Sequence, residues 1–389
     1  MVGSILRWPL FQTLIRARRT TLWSELKPLL RSRLLSILSV PGPSAALVSK
    51  WPAKDQVNQQ PHSLFQMATG YWLSQAVYVA AKIGVADLLM DGPESCSVLA
   101  AKMGVDRHSL FRLMRALSGA GVFAQLEGDR FALTRLGEGL RSHAPGSLRQ
   151  LVITLGEIHY QAWGSLLHSV RTGLPAFNHV FGPRLFEYLQ WHAEAATSFN
   201  EGMTDISSML AYAVLMAYDF SGIRSLVDVG GGHGRFLRNI LEFHPEIEGV
   251  VFDLPSTIAT TKEFPSDPAP NGRCLLVAGD FLKDVPLGFD AHILCGILHD
   301  WDDAHSILIL KNCRRAMAKN GRVLLVEMVV PAGDAHCFSQ LLDLNMLVMT
   351  GGRERTKAEF CALFDAAGFK LTKIVPTMAP QSVIEAVPK

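Results

Sequence analysis

The stretch Ser225-Leu-Val-Asp-Val-Gly-Gly-Gly-His-Gly-Arg235 limits the fold more than any other part of the chain. Leu226 to Val229 is an apolar run of the kind found in a parallel strand buried on both faces. Four glycines then fall within five positions: Gly230, Gly231, Gly232 and Gly234. Phe236, Leu237, Ile240 and Leu241 follow on one face of a helical pattern. Strand, glycine turn and helix, in that order, bring the backbone of an open α/β sheet close to a nucleotide-like ligand. Glycine serves there because the turn is sharp and a Cβ would collide with what is bound.

The spacing is not the dinucleotide pattern G-x-G-x-x-G, and no Gly-Lys-Ser/Thr follows to hold phosphate. An acid, Asp228, stands on the strand itself. The pattern Asp-x-Gly-x-Gly-x-Gly resembles motif I of S-adenosylmethionine-dependent methyltransferases. That resemblance implies a carboxylate at Asp228, with Gly230 and Gly232, near the cationic amino-acid end of the cofactor. Taken alone, the motif also fits a glycine-rich turn in another doubly wound protein.

More strands ending in chemistry follow. Gly249-Val-Val-Phe-Asp-Leu-Pro255 closes on Asp253 and Leu254, where a carboxylate can accept two hydrogen bonds from a ribose diol or cap the next helix. Arg273 to Phe281 ends in Gly279, Asp280 and Phe281, suited to an adenine: an acid for its amine and a ring for its face. Phe289 to Leu298 runs into His299-Asp-Trp-Asp-Asp303, and Gly321 to Val330 carries Glu327. Helix Ala304–Ala318 separates those two strands, and helix Thr356–Ala367 precedes Lys370–Val375 and Ser382–Val387. Alternating βα units with the glycine turn first predict a Rossmann-like, doubly wound sheet. His299 stands at a strand's C-terminal end, where such sheets bind ligands, and an imidazole can take a hydroxyl proton near neutral pH. A base needs an orienting partner, and either Glu327 or Glu354, in Gly351-Gly-Arg-Glu-Arg-Thr356, can supply it.

Ahead of this domain, Ser63–Leu89 reads as one strongly apolar helix, buried in a core or against a second subunit. Ser97–Gly104 and His108–Leu117 form a helix-turn-helix, and Gly121–Thr134 a hairpin around Glu127-Gly-Asp129. Together they predict a winged helix over 61–145. Such a fold can bind DNA, but a net charge of +2 over 389 residues gives no case for nucleic acid, and a dimerisation module fits better. Residues 146–215 read as a helical connector whose aromatic and Met positions line an apolar pocket; Trp163 and Met203 there, with Asp300, Asp343, Met346 and Met349, are acceptor-pocket candidates. The catalytic domain spans 216–389. Residues 1–60 are basic, with Glu25 the only acid before Asp55. They read as a plain extension and linker, as organelle targeting by residues 1–40, or as an arm that touches a membrane. Six cysteines without a C-x-x-C pair argue against zinc and disulfides and fit a reducing, cytoplasmic setting.

Motif I, Asp253, Gly279-Asp280-Phe281, Leu298-His-Asp-Trp-Asp-Asp303, Glu327 and Gly-Gly-Arg-Glu-Arg-Thr occur in the order seen in the plant caffeate/isoflavone O-methyltransferases. The chain resembles that family over residues 60–389, together with its bacterial members and the acetylserotonin (hydroxyindole) enzymes. The resemblance implies His299 as general base, Glu327 and Glu354 orienting it, S-adenosylmethionine as cofactor, an intertwined homodimer and no metal. Plant members often carry a Lys at the position of Cys295, so an adenine-side contact is altered there. The expected reaction is methyl transfer to a phenolic or other aromatic hydroxyl of a small molecule. Other methyl-transfer or decarboxylation chemistry on the same fold, or a non-catalytic winged-helix regulator, are the alternatives.

Overall fold

The computed structural model describes residues 61–144, 146–261, 272–332 and 338–389. The basic stretch before residue 61, and every expectation attached to it, lies outside the described residues. Residues 70–142 and 146–389 make up one compact unit, to which the architecture below belongs.

Helix α1 (Pro61–Ile83) and helix α2 (Val85–Leu88) are distinct, although the sequence predicts one helix to Leu89. Gly84 divides them because it takes φ 73°, a left-handed conformation that a side chain disfavours. Strand β1 (Glu94–Ser95), α3 (Cys96–Met103), α4 (Arg107–Gly119), β2 (Phe123–Leu126) and β3 (Arg130–Leu133) form the expected winged helix. Asp106 caps α4 by accepting from Ser109 N–H at 2.8 Å. The wing is a three-stranded antiparallel sheet in the order β1-β3-β2. Its core is closed by Leu99, Met114, Leu117, Phe123 and Phe131.

The connector is more broken than its apolar pattern suggests. Helix α5 (Arg149–Thr154) runs into a π-helical turn, Leu155–His159, and then α6 (Tyr160–Trp163). After α7 (Leu166–Thr172), α8 (Ala176–Phe181) and α9 (Leu185–Trp191) comes the long α10 (Ala193–Ala217).

The second half is a βα alternation: β4 (Ser225–Val229), α11 (Arg235–Phe243), β5 (Glu248–Asp253), α12 (Pro255–Thr260), β6 (Cys274–Ala278), β7 (Ala291–Cys295), α13 (Asp303–Ala316) and β8 (Arg322–Glu327). The sequence read 321–330 as one strand, but the chain bends at Met328. Val329–Val330 (β9) instead pairs in parallel with Arg355–Thr356 (β10), which follows α14 (Phe338–Met349). Helix α15 (Lys357–Ala367) and strands β11 (Phe369–Pro376) and β12 (Ser382–Pro388) complete it. The seven-stranded sheet has the order β11-β12-β8-β7-β4-β5-β6. Strands β6, β5, β4, β7 and β8 are parallel, and β12 joins β8 antiparallel. The order reverses between β4 and β7, and a crevice opens at such a switch point.

Strand side chains alternate between two cores. Leu226, Ile293, Leu324 and Val326 face α10 and α11, packing on Leu210, Val214, Phe236 and Ile240. Val227, Leu294, Val323 and Leu325 face α13 and α15, packing on Ile309, Cys313, Phe360 and Phe364. Leu324 is fully buried on a central strand. Replacing it with Ala should cost about 2–5 kcal/mol through lost burial and a cavity. Urea unfolding of Leu324→Ala against the parent measures this; an unchanged midpoint would contradict the packing.

Candidate active site

The switch point gathers the acidic strand ends. Asp228 is buried in β4, and its Oδ2 has no hydrogen-bond partner. Burial first, and Asp253 next, push its carboxyl up to about 7, while a backbone hydrogen bond from Leu237 works against them. Asp253 uses both oxygens to hold the turns together: Oδ2 accepts from Gly232 N–H at 2.8 Å and Oδ1 from Leu254 N–H at 2.7 Å. Each oxygen keeps a lone pair for a further donor. Gly232, at φ 57°, has open space where a Cβ would stand. Asp280 Oδ1 accepts from Leu282 N–H, and Phe281 meets Trp301 edge to face at 5.8 Å between centroids.

On the β7 side, His299 lies in a 3₁₀ turn, Leu298–Asp300. Its Nδ1 is 2.8 Å from Glu354 Oε1 and 3.8 Å from Glu327 Oε2, and its Nε2 is 3.9 Å from Asp300 Oδ2. The two acids that the sequence offers as partners take different parts. Glu354 makes the hydrogen bond. Glu327 Oε1 accepts from Ile297 N–H at 3.0 Å and Leu298 N–H at 2.9 Å, fixing the turn that carries the imidazole. The ring is enclosed by protein, yet a fifth of its side-chain surface stays open, as at the floor of a cleft. Burial alone would strip its proton, but Glu327, Asp300 and Glu354 together outweigh that and hold the imidazole well above its usual range. Asp300 in turn is raised to about 6, first by burial.

The sequence shows no metal-ligand spacing, but one ligand atom each from His299, Glu327 and Glu354 falls within a 4.8 Å set. His299 Nδ1 meets Glu354 Oε1, and Glu327 Oε1 takes two backbone N–H groups, while the buried Glu354 Oε2 has no hydrogen-bond partner.

Two residues that the sequence reading passed over hold this set together. Gly352 lies so close to His299 that a Cβ would stand 1.9 Å from the His299 carbonyl oxygen. Arg355 is the largest fully buried side chain among the described residues. It donates to the carbonyls of Leu298 and Trp301 at 2.8 Å each and to Asp303 Oδ1 at 2.9 and 3.1 Å. Their signal was the run Gly351-Gly-Arg-Glu-Arg-Thr356, whose acid alone drew a role.

Other candidates move. Asp343, expected in the acceptor pocket, spends Oδ1 on Glu354 N–H at 2.8 Å and so braces the partner of the His299 ring. Gly279, expected against the cofactor, is glycine because a Cβ would stand 2.3 Å from the Phe252 ring. Gly230 likewise abuts Ile297, at 2.5 Å from the place of a Cβ. Cys295, expected on the adenine side, packs on the core below β4 and β8. Burial raises its thiol, as do the nearby carboxylates of Asp228 and Glu327. Trp163 donates to Asn345 Oδ1, and Met349 is buried beside Phe177 and Val348. Met346 is buried on α14, and Met203 is half-buried on α10, four residues beyond Phe199.

Comparison with known proteins places this geometry. The O-methyltransferase domain family matches residues 163–370, and the O-methyltransferase dimerisation domain family matches residues 65–142. Phenazine O-methyltransferase PhzM from Lysobacter antibioticus is 44% identical over 325 residues, covering 84% of this chain and 95% of that protein. The 3-amino-4-hydroxybenzoate 4-O-methyltransferase of Streptomyces cremeus is 38% identical over 313 residues, covering 80% and 86%. The crystal structure of human N-acetylserotonin methyltransferase in complex with S-adenosylmethionine superposes with a TM-score of 0.79 at 27% identity, over 85% of this chain and 98% of that one. Among the described residues, no helix is long and apolar enough to cross a membrane. The chain belongs to the O-methyltransferase family and is an S-adenosylmethionine-dependent O-methyltransferase.

Proposed function

We propose that the enzyme methylates a hydroxyl on an aromatic small molecule, with His299 as general base. The observation that carries this is the bond from His299 Nδ1 to Glu354 Oε1, which leaves Nε2 as the proton-accepting atom of the ring. Glu354 orients the imidazole, and Glu327 fixes the turn beneath it. S-adenosylmethionine supplies a methyl group on a positively charged sulfur. The orphaned Asp228 Oδ2 suits the ammonium end of that cofactor, Asp253 its ribose, and Asp280 with Phe281 its adenine. The open face of Gly232 leaves room for close approach. Taking the hydroxyl proton at Nε2 turns a weak nucleophile into a strong one as it meets the methyl group. The named acceptors of the relatives, a phenazine and an aminohydroxybenzoate, support an aromatic acceptor here. The ordered motifs support the caffeate/isoflavone branch, with residues 61–145 as winged-helix module, 146–215 as connector and 216–389 as catalytic domain.

The winged-helix module suits a homodimer. Helix α1 leaves Tyr71, Trp72 and Leu73 about half exposed, an apolar face that water disfavours and a second copy would cover. Sedimentation should give twice the chain mass for the parent and the single-chain mass for Trp72→Glu; a dimeric variant would move the interface elsewhere.

His299→Gln should lower kcat by roughly 10²- to 10⁴-fold, the usual worth of a general base. Its affinity for S-adenosylmethionine, read by calorimetry, should stay near the parent's. Parent-like turnover on a phenazine or hydroxybenzoate acceptor would remove the role of His299.

Asp228 carries a pH signature. Its folded pKa of about 7 exceeds the 3.8 usual for an aspartate, so the folded chain holds the extra proton between these limits. Stability is therefore lost as pH rises from about 4 through about 7. Asp228→Asn should shift the stability difference in the variant's favour between pH 4 and pH 8, and bind S-adenosylmethionine more weakly. Melting curves at both pH values test this. A difference that does not change with pH would show the carboxylate to be unstrained.

A further inference from the structure

Strand β7 ends at Cys295, and the next residue, Gly296, takes φ 63° before the turn that carries His299. Its N–H donates to the Val326 carbonyl at 3.1 Å, which ties the bend to β8. A Cβ on Gly296 would stand 3.5 Å from His299 Nε2 and 3.8 Å from Cε1. Setting aside the residues on either side of Gly296, it would meet no other atom within 4 Å among the described residues. A Cβ above the face of the ring would lie about as near to Cδ2 as to Cε1, yet Cδ2 is beyond that range. The missing Cβ therefore belongs at the outer edge of the imidazole, beside the Nε2 lone pair.

That edge is the open one. Glu354 holds Nδ1, whereas the acid beside Nε2 is Asp300, whose Oδ2 at 3.9 Å is too far for a hydrogen bond. Gly296 is itself half-buried, so part of its backbone reaches solvent. The next residue, Ile297, sends its side chain against Gly230 in the glycine turn. Gly296 thus adjoins the base while its neighbour touches the turn on the cofactor side. A hydroxyl oxygen must come within about 2.6–3.2 Å of Nε2 to give up its proton. The carbon that bears it, and a group on the adjoining carbon, then come to the edge of the ring where the Cβ is missing.

We infer that Gly296 determines how crowded a hydroxyl the enzyme accepts: the space at its Cα admits an aromatic acceptor with a substituent next to the hydroxyl-bearing carbon. This rests on His299 as base for an aromatic hydroxyl, argued above. The left-handed φ is a second reason for glycine, since side chains disfavour it. Asn tolerates that conformation and still brings a Cβ, so it separates backbone strain from lost space.

The test gives the full-length protein labelled S-adenosylmethionine and two isomer pairs: 2-methylphenol against 4-methylphenol, and 2-methyl-1-naphthol against 4-methyl-1-naphthol. Within a pair, acidity and apolar surface are nearly matched, and the crowding at oxygen differs. The parent should methylate both members with kcat/KM values within about threefold of each other. Gly296→Ala should lower the 2-methyl member relative to the 4-methyl member by roughly tenfold to hundredfold, the usual cost of an extra methyl group in a filled space. Gly296→Asn should lower it at least as far, and it carries the test if the Ala variant does not fold. Backbone strain alone would slow both members alike and leave their ratio unchanged. An unchanged ratio, or a parent that already rejects the 2-methyl members, overturns the role of Gly296 and leaves the proposed function standing. A parent that methylates none of the four overturns the proposed function as well.

Discussion

The site depends on a single hydrogen bond between residues 55 positions apart, His299 Nδ1 and Glu354 Oε1. An imidazole can serve as a base only if one nitrogen is held and the other left open. Glu354 reaches that nitrogen because three contacts bring its loop onto the β7 turn. Asp343 holds its N–H, Gly352 lets the backbone touch the His299 carbonyl, and Arg355 binds the carbonyls on either side of His299 and Asp300. The short β9–β10 pair ties the end of the Glu354 loop to the segment that follows Glu327. The His299–Glu354 pair is therefore a tertiary construction, and no stretch of chain contains it whole.

The same construction sets an electrostatic tension. Three carboxylates around one enclosed imidazole favour the imidazolium, which cannot accept a proton. A positive charge brought beside these groups shifts the balance back toward the neutral ring. Such a charge is what the orphaned Asp228 also calls for, at the neighbouring strand end. The acidity of the crevice thus favours a cation there, and a cation there would lower the proton affinity of the ring.

How much of this the sequence disclosed follows from what is local. The glycine turn, the strand ends carrying Asp228, Asp253, His299 and Glu327, and the winged helix are local patterns, and they stand where periodicity puts them. The break at Gly84 was hidden because the apolar pattern runs straight across it. The bend at Met328 was hidden for the same reason, since Val329 and Val330 continue a strand-like run into a different pairing. The division of labour between Glu327 and Glu354 needed distances, as did the partner of Asn345. Arg355 could not be placed at all: a lone arginine in a polar loop reads as surface, and only tertiary contacts reveal it as the most deeply buried cation among the described residues.

The glycines correct a piece of reasoning as well as a location. Glycine was expected near the cofactor so that a ligand could approach, and Gly232 fits, with open space above it. Elsewhere the excluded Cβ would strike protein. At Gly230 it would meet Ile297, at Gly279 the Phe252 ring, and at Gly352 the carbonyl of His299. These glycines let loops approach each other. Ile297, packed against the glycine turn, gives its N–H to Glu327 and stands two residues before His299. The glycine turn and the turn that carries His299 thus meet through the Ile297 side chain, and a side chain added at Gly230 would press on both.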